Sequence, residues 1–552
     1  MFDSSRVMDI SVQIDPSDWQ RMRYEHHNLL FKETEKEKQE QSSPYSYYKA
    51  TVTIDGKTVK NVGVRKKGFL GSANAQRPSI KIHFDKYKKD ERFSGLEMMT
   101  LNNNDSNGNQ LSQYLSYFLF NKAGIPAPRC SFARVTVNGE YLGVYSHVES
   151  VRKRFLERNF NSSKGDLFEG QISDFREGFF DTFQKKTNKK LKKRVGLNKV
   201  VRALELADDQ LIDGLDQVIA LDDFYRYWAM ETLIGFWDSY SGNTNNFFIY
   251  FDPSDDRIRF IPWGTDDALR PFFGGSNKAN SVQANAVLPL RLYKIPESQK
   301  KYRTELRKLL QTVWNENELL EEIKNLKKLI GPDLHLPHDV FENALVELRE
   351  FIKGRREILM KELVGEAPPN SGKLKVGITT GTGVPPNFAC EFDTKRIESA
   401  DLKQKIISKT LALENLSKNK KTDIKSQQFY DKHKIIDSRA VVSTNPEPFR
   451  YGFPLLTIFW KHEGIPTEFR ISLLIDPGFY QTENESPVDG YAVIASVWEK
   501  HNLDSDWIWT SFVKGKMKLN HAGEKDGQRV SGNLSLEFLM GPRVNDPHED
   551  SP

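Results

Sequence analysis

The sequence predicts an α+β chain followed by a separate C-terminal β-rich domain of the sandwich or barrel type. Three observations carry this. Alternating apolar runs joined at Asp55-Gly56 and Asn138-Gly139 mark hairpins in the first 150 residues. Helical periodicity then dominates from Leu197 to Gly235 and over residues 296–363. Beyond EAPPNSGK, near residue 370, short alternating runs return and continue to about residue 540.

Each element follows in order. Val7, Ile10, Val12 and Ile14 alternate as a strand, and Asp15-Pro16-Ser17-Asp18 opens a helix. KETEKEKQEQSSP, about residues 32–44, is charged and apolar-poor, and reads as an exposed, mobile insertion. From Tyr45 to Phe84 the pattern is β, with RPSIKIHF as a further strand. QLSQYLSYFLFNKA is a helix closed by Gly124. SFARVTVNGEYLGVYSHVE is a hairpin, and VRKRFLERNF a helix. The run QKKTNKKLKKR, residues 184–194, reads either as a solvated loop or as a docking patch for an acidic partner or phosphate. Later runs such as LLTIFW, EFRISLLID, GYAVIASVWE, MKLNHAG and NLSLEFLM make the β domain. A helical, mobile insert is expected at 395–435 and a disordered tail at 541–552. The expected domains are 1–365, β-rich to about residue 150 and helical after, and 371–540.

Composition narrows the classes. At 552 residues the chain has room for two to four domains. Its mean hydropathy is −0.59, and no apolar window reaches the ~18 residues of a membrane helix, so no integral membrane segment is expected. The net charge of +5 is too small for this length to argue nucleic-acid binding. Two cysteines, Cys130 and Cys390, exclude a disulfide-dense scaffold and a multi-Cys zinc module. No signal peptide is visible at the start, which reads as cytoplasmic unless an upstream signal was removed. Oligomeric state is not legible.

Phosphoryl transfer from a nucleotide needs a phosphate cradle, a lysine on the phosphates, a carboxylate near the acceptor hydroxyl and oxygen ligands for Mg²⁺. The chain offers candidates in that order. Gly68 and Gly71 with Ser72 form a turn between strands that could bring backbone N–H groups to phosphate, although ordinary hairpin loops look the same. Lys81 sits between Ile80 and Ile82, so it faces away from the apolar side of its strand, as a solvated lysine also would. In WDSYSGNTNNFFIYF, Asp238 and Asn243 reproduce the Asp-x-x-x-x-Asn spacing of a kinase catalytic loop, with Asn245 and Asn246 adding amide oxygens. The next strand, RIRFIPW, leads to Gly264-Thr265-Asp266-Asp267, where a metal-binding aspartate would lie, although Thr-Asp-Asp also caps helices. Asn103 to Gly108 imitates half an EF-hand loop, but Tyr114 stands where the bidentate Glu is needed, so it reads as a helix-capping loop.

These stretches, with VGVRKKGFLGS, RPSIKIHFDKY, TLNNND, AGIPAPRCSFARVTVNGEYLGVYSHVES, GDLFEG and FIPWGTDDAL, resemble the spore coat protein H (CotH) kinase family over roughly residues 5–360. The resemblance implies a two-lobed, atypical protein-kinase-like fold. It also implies ATP, Mg²⁺ or Mn²⁺, and transfer to Ser/Thr of a protein substrate. Lys81 would bind ATP phosphates, Asp238 would be the catalytic Asp, and Asp266 would hold the metal, with Asn243 or Asn246 assisting. Glu149 would lie near the nucleotide. Two departures stand out. Many members read Pro-Trp-Asp-x-Asp where this chain has Gly264-Thr265-Asp266, with Asp267 as a substitute acid. Many also carry Arg-Glu where this chain has Ser112-Gln113. The alternative reading is a pseudokinase-type scaffold, or a cell- or spore-surface structural or adhesion protein.

Overall fold

A computed structural model describes residues 1–25, 45–68, 75–104, 108–176, 179–180, 182–188, 194–271, 279–370, 387–397, 412–414, 435–444, 454–462, 468–482, 485–488, 493–500, 508–525 and 528–540. Gly71, Ser72, the 32–44 insertion, most of the 395–435 insert and the 541–552 tail lie outside these residues. The described residues are mixed α+β. They divide into two compact units. One holds Met1–Pro16, Tyr47–Arg65 and Ile80–Gly377; the other holds Ser17–Ser46, Lys66–Ser79 and Ile378–Pro552.

The first unit begins with a closed barrel of seven strands. These are β1 (Val7–Ile14), β2 (Tyr48–Ile54), β3 (Lys57–Lys67), β4 (Ser79–His83), β5 (Met98–Asn102), β6 (Cys130–Val137) and β7 (Glu140–Val148). Their order is β1-β2-β3-β4-β5-β7-β6, and a parallel β1–β6 pairing closes the ring. Alternation builds it: Met8, Ile10, Val12 and Ile14 are buried while Asp9 and Gln13 are exposed. Asp55-Gly56 and Asn138-Gly139 take positive φ at both residues, 46° and 78°, and 50° and 88°. Two-residue hairpin turns of the right twist demand this, and Asn, Asp and Gly tolerate it.

Helix α1 (Pro16–Tyr24) falls mainly in the second unit, and α2 (Ser112–Lys122) in the first. Asn109 caps α2, its side-chain oxygen accepting from the N–H groups of Leu111 at 2.8 Å and Ser112 at 3.0 Å. Gly124, at φ 73°, ends it, and Ile125 N–H returns to Phe120 O. Helix α3 (Lys153–Phe160) follows the barrel. A second sheet has the order β11-β10-β8-β9, from β8 (Leu167–Gly170), β9 (Gln184–Lys185), β10 (Phe247–Asp252) and β11 (Arg257–Pro262). Phe247 to Tyr250 are buried because β10 is an inner strand, paired on both edges.

Eight helices complete this unit: α4 (Val195–Leu204), α5 (Asp208–Asp216), α6 (Leu221–Leu233), α7 (Tyr240–Asn243), α8 (Val287–Lys294), α9 (Pro296–Thr312), α10 (Glu316–Ile330) and α11 (His338–Val364). α6 is the pillar. Trp228 on it is fully buried, stacks on Tyr302 at 3.9 Å and donates from Nε1 to Gln283 O at 2.6 Å. Arg355 of α11 reaches the carbonyls of Thr232 and Leu233 at the end of α6, where unpaired C=O groups attract a cation. No described helix is long and apolar enough to cross a membrane.

The second unit carries a nine-stranded sheet, β12 (Asn387–Ile397), β13 (Ala412–Glu414), β14 (Ile435–Thr444), β15 (Pro454–His462), β16 (Glu468–Ile475), β17 (Glu485–Val488), β18 (Val493–Lys500), β19 (Ile508–Ala522) and β20 (Arg529–Met540). β20 pairs with both β12 and β19, so the hydrogen-bond ladder runs back on itself. Its core includes Leu456, Ile458, Ile471, Leu473, Val530 and Leu534. The sequence expectation of a helical insert fails in its described residues, which are strand. Lys395 pairs with Arg529, and Ala412–Glu414 pairs with β12, because strand partners distant in sequence override local propensity.

Candidate active site

The Asp238 segment is shaped from beneath. After α6, Gly235 turns the chain at φ 63°, and Ser239 caps α7, accepting from Gly242 N–H at 3.2 Å. Gln283 Nε2 donates to Phe236 O at 2.7 Å and Ser239 Oγ at 2.8 Å. Asn285 Nδ2 donates to Gly242 O at 2.7 Å. Glu231, fully buried on α6, accepts the N–H groups of Tyr240 at 3.2 Å and Ser241 at 3.1 Å. Thr244 and Asn246 adopt left-handed backbone at φ 54° and 51°, which aims the chain into β10.

Three amides converge on the Asp238 carboxylate. Asn243 Nδ2 donates to Oδ1, Asn245 Nδ2 donates to both oxygens at 3.2 and 3.3 Å, and Asn246 Nδ2 donates to Oδ2 at 2.6 Å. Asn246 also donates to Asp238 O at 3.0 Å. The Asp-x-x-x-x-Asn spacing is therefore a direct contact here, and the three amides fix where the carboxylate points.

The next hairpin brings the second acidic group. Trp263 N–H donates to Asn246 O at 3.0 Å, and Gly264 at φ 54° starts a 3-10 turn, Thr265–Asp267. A Cβ on Gly264 would lie 2.5 Å from Asn246 Oδ1, so glycine lets the two loops approach. Thr265 is buried against α2, its Oγ1 3.5 Å from Gln113 O. Asp267 accepts from Trp237 Nε1 at 2.5 Å and pairs with Arg270. Burial pushes its carboxyl up to about 7, opposed by Arg270 and Trp237 and reinforced by the charges of Asp238 and Asp266. Asp267 thus braces Trp237, the residue before Asp238, while Asp266 adds charge to the same cluster.

The lysine lies on the barrel. Ile80 and Ile82 are buried in the barrel, leaving Lys81 on the opposite face of β4. Among the described residues Lys81 has no salt bridge. Desolvation lowers its ammonium well below the usual lysine range, with Arg152, Arg65 and Lys186 lowering it further and Glu169 opposing. Register explains the neighbours. Lys81 lies opposite Thr100, whose Oγ1 is 3.0 Å from Ser150 Oγ, two residues before Arg152. Glu169 of β8 pairs with Lys186 and lies opposite Phe248 of β10, two residues after Asn246. The β8–β10 pairing thus sets Glu169 close along its sheet to the Asp238 loop, while Lys81 lies on the separate sheet of the barrel.

The other sequence candidates have partners of their own. Glu149 is buried with both oxygens engaged, by Arg129 at 2.7 Å and Arg158 at 2.6 Å, and it accepts Arg129 N–H at 3.1 Å. Gly68 has φ 115°, and its carbonyl accepts from Tyr45 Oη at 2.6 Å. Of the basic run, Lys185 pairs with Asp166 and Lys186 with Glu169, so this described part serves β8 and β9. Sequence reasoning missed Arg65, Arg152, Glu169, Glu231 and Gln283. Glu231 alone carried a local sign, a lone acid inside the apolar stretch YWAMETLIG.

Among the described residues no group of three or more His, Cys, Asp or Glu converges as a metal cage. A cage is not required for Mg²⁺, which takes one or two carboxylates plus phosphate oxygens and water. Asp238, Asp266 and Asp267 supply hard oxygens of the kind Mg²⁺ takes; those of Asp238 accept from three amides, and the Asp267 carboxylate is engaged by Trp237 and Arg270.

Two buried acids make stability depend on pH. Burial raises Glu231 from 4.5 to about 7, against hydrogen bonds from Ser241, Tyr227 and Tyr240, and raises Asp267 from 3.8 to about 7. At these two groups the native state therefore holds more protons than the unfolded chain between about pH 4 and 7, while burial lowers His147 from 6.5 to about 3 and acts in the opposite sense. The contribution of the two acids is fully present below the unfolded values and is lost as pH rises through 7, each at up to ~1.4 kcal/mol per pH unit. Urea melts from pH 5 to 7.5 report the balance of these groups, and Glu231→Gln should change the slope by about one proton relative to wild type, making stability fall less, or rise more, with pH. An unchanged slope in that variant would refute the assignment.

A family model described as CotH kinase protein matches residues 64–359, more than half of the chain. Inner spore coat protein H of Bacillus subtilis is 22% identical over 292 residues, covering 49% of this chain and 80% of that protein. Spore coat protein homolog 1 of Rhizopus delemar is 22% identical over 254 residues, covering 43% of this chain and 42% of its own length. Invasin CotH7 of the same fungus is 22% identical over 244 residues, 41% of each. The chain thus spans less than half of either fungal relative.

Proposed function

This chain belongs to the CotH kinase protein family, and from that premise we propose that it transfers the γ-phosphoryl group of ATP to Ser or Thr hydroxyls of protein substrates with Mg²⁺ or Mn²⁺ bound. The observation that carries the reading is the Asp238 carboxylate, held by three asparagine amides on a loop that Gly264 brings against the turn carrying Asp266. Such transfer needs positioning and charge neutralisation rather than a covalent intermediate.

Each residue has a part. Lys81 neutralises phosphate oxygens. Asp238 accepts the proton of the attacking hydroxyl as the new P–O bond forms and the bond to the ADP leaving oxygen breaks. Asn243, Asn245 and Asn246 hold that carboxylate in line, and Asp267 holds Trp237 behind it. Asp266, with Asp238 and the amide oxygens of Asn243 or Asn246, would hold the divalent ion, which supplies charge neutralisation on the phosphates. Glu149 serves this reading only as a brace between Arg129 and Arg158.

A ligand that binds only the native state raises the melting temperature by mass action. ATP with Mg²⁺ should therefore raise it, and Asp266→Ala should remove the metal-dependent part of the rise. A full rise in Asp266→Ala would exclude Asp266 as the metal residue.

One observation favours a second reading, a scaffold or surface protein without catalysis. Kinases pair the phosphate lysine with a helix glutamate; here Lys81 has no salt bridge among the described residues, and α2 carries Gln113. The spore-coat and invasin names of the relatives suit that reading. Absence of any melting rise with nucleotide and metal would favour it.

A further inference from the structure

Residues 280–287 form a brace against the Asp238 loop, and a carboxylate fastens the brace at each end. At its start Glu362 of α11 accepts the N–H groups of Asn280 at 2.9 Å and Ser281 at 2.8 Å. At its end the fully buried Asp174 accepts Val287 N–H at 3.0 Å and also the Tyr240 hydroxyl at 3.2 Å. Between them Tyr302 Oη donates to Ser281 O at 2.9 Å, and Trp228 Nε1 donates to Gln283 O. The fixed brace then meets the loop on both sides of Asp238. Gln283 Nε2 donates to Phe236 O at 2.7 Å and Ser239 Oγ at 2.8 Å. Asn285 donates from its N–H to Ser241 O at 2.7 Å and from Nδ2 to Gly242 O at 2.7 Å. Phe236 O can only accept, so the amide nitrogen of Gln283 must face it. Gln283 is only 3% exposed, which leaves water little room to replace that donor. A Cβ on Gly242 would lie 2.2 Å from Gln283 Nε2, so glycine lets loop and brace close on each other.

We propose that Gln283 is a positioning residue for the transfer reaction, setting where the Asp238 carboxylate points, and that Glu362 and Asp174 act through it by fixing the two ends of the brace. This rests on the reading of Asp238 as the proton acceptor. Gln283 works on the backbone and the hydroxyl that flank Asp238, so its loss shifts the loop without removing a reacting group. A displacement near 1 Å costs about a hundredfold in rate. The effect therefore falls on turnover and leaves capture of the nucleotide intact.

The test combines two measurements on the full chain. Hydrogen exchange read by mass spectrometry follows the amides of residues 239–244, and steady-state transfer from ATP with Mg²⁺ gives kcat and KM. Gln283→Met keeps the volume and removes the donors. It should speed exchange over 239–244 by about tenfold or more. It should also lower kcat by about tenfold or more, with KM for ATP within about twofold of wild type. Glu362→Gln sets an amide N–H against the N–H groups it now accepts, and should give the same pattern at smaller size. Because Glu362 is only partly buried, this variant carries the test where melting curves show Gln283→Met to be unfolded. Tyr225→Phe is the control: it removes a buried hydrogen bond of 2.7 Å to Ser298 on α9, and should leave exchange over 239–244 and kcat within about twofold of wild type. Unchanged exchange, unchanged kcat in an active enzyme, or equal changes in Tyr225→Phe would overturn the proposal. Faster exchange over 239–244 in Gln283→Met, with no transfer by wild type, supports Gln283 as the brace of this loop while removing the transfer reading.

Discussion

Asp238→Ala should lower phosphoryl transfer by about three orders of magnitude while leaving a folded protein. The carboxylate is the one acid of the cluster whose orientation is set by three separate amide donors. Its removal takes away the proton acceptor and strands those donors. The stability loss should be about 1–3 kcal/mol, because Asn243, Asn245 and Asn246 are only partly buried and water can replace the lost acceptor. Circular dichroism and a melting curve separate this from unfolding. Asp238→Asn keeps the shape but sets an amide N–H against amide donors, so it should be comparably inactive. Activity within tenfold of wild type in either variant would remove Asp238 from the chemistry.

Gly264→Ala should cost both stability and activity, although it adds one methyl group. The residue sits at φ 54°, where side chains are strained, and the new Cβ would fall 2.5 Å from Asn246 Oδ1. Asn246 cannot yield without releasing Asp238 Oδ2, which it holds at 2.6 Å. The strain should destabilise the chain by about 1–3 kcal/mol. A displacement near 1 Å at the carboxylate should cost about a hundredfold in rate. Gly264→Asp should fare no better, because it brings the same Cβ. A fully active Gly264→Ala enzyme would show that the contact between the two loops does not govern catalysis.

Local chemistry made part of the fold readable. The Asp55-Gly56 and Asn138-Gly139 hairpins form because those dipeptides accept positive φ, and Ile80 and Ile82 flank Lys81 because strands alternate. The closure of the barrel was not readable, since the β1–β6 pairing joins residues more than 120 positions apart through register alone. The same limit hid the strands described within the 395–435 insert. At the site, Asp238, Asn243 and Asn246 were legible as one loop because they are close in sequence. Arg65, Arg152 and Glu169 were not, because β3, the approach to α3 and β8 meet only in three dimensions. The burial that raises Asp267 and ties it to Trp237 and Arg270 was also invisible in the sequence Thr-Asp-Asp, which reads equally as a cap or a ligand.

The most direct test of the central claim is transfer of radiolabelled γ-phosphate from ATP to Ser or Thr of a protein acceptor, or of the chain itself. Wild type and Asp238→Ala would be compared with Mg²⁺ and with Mn²⁺. Label on wild type that is absent from Asp238→Ala is the predicted result. Equal labelling of both, or none on either across several acceptors, would contradict it.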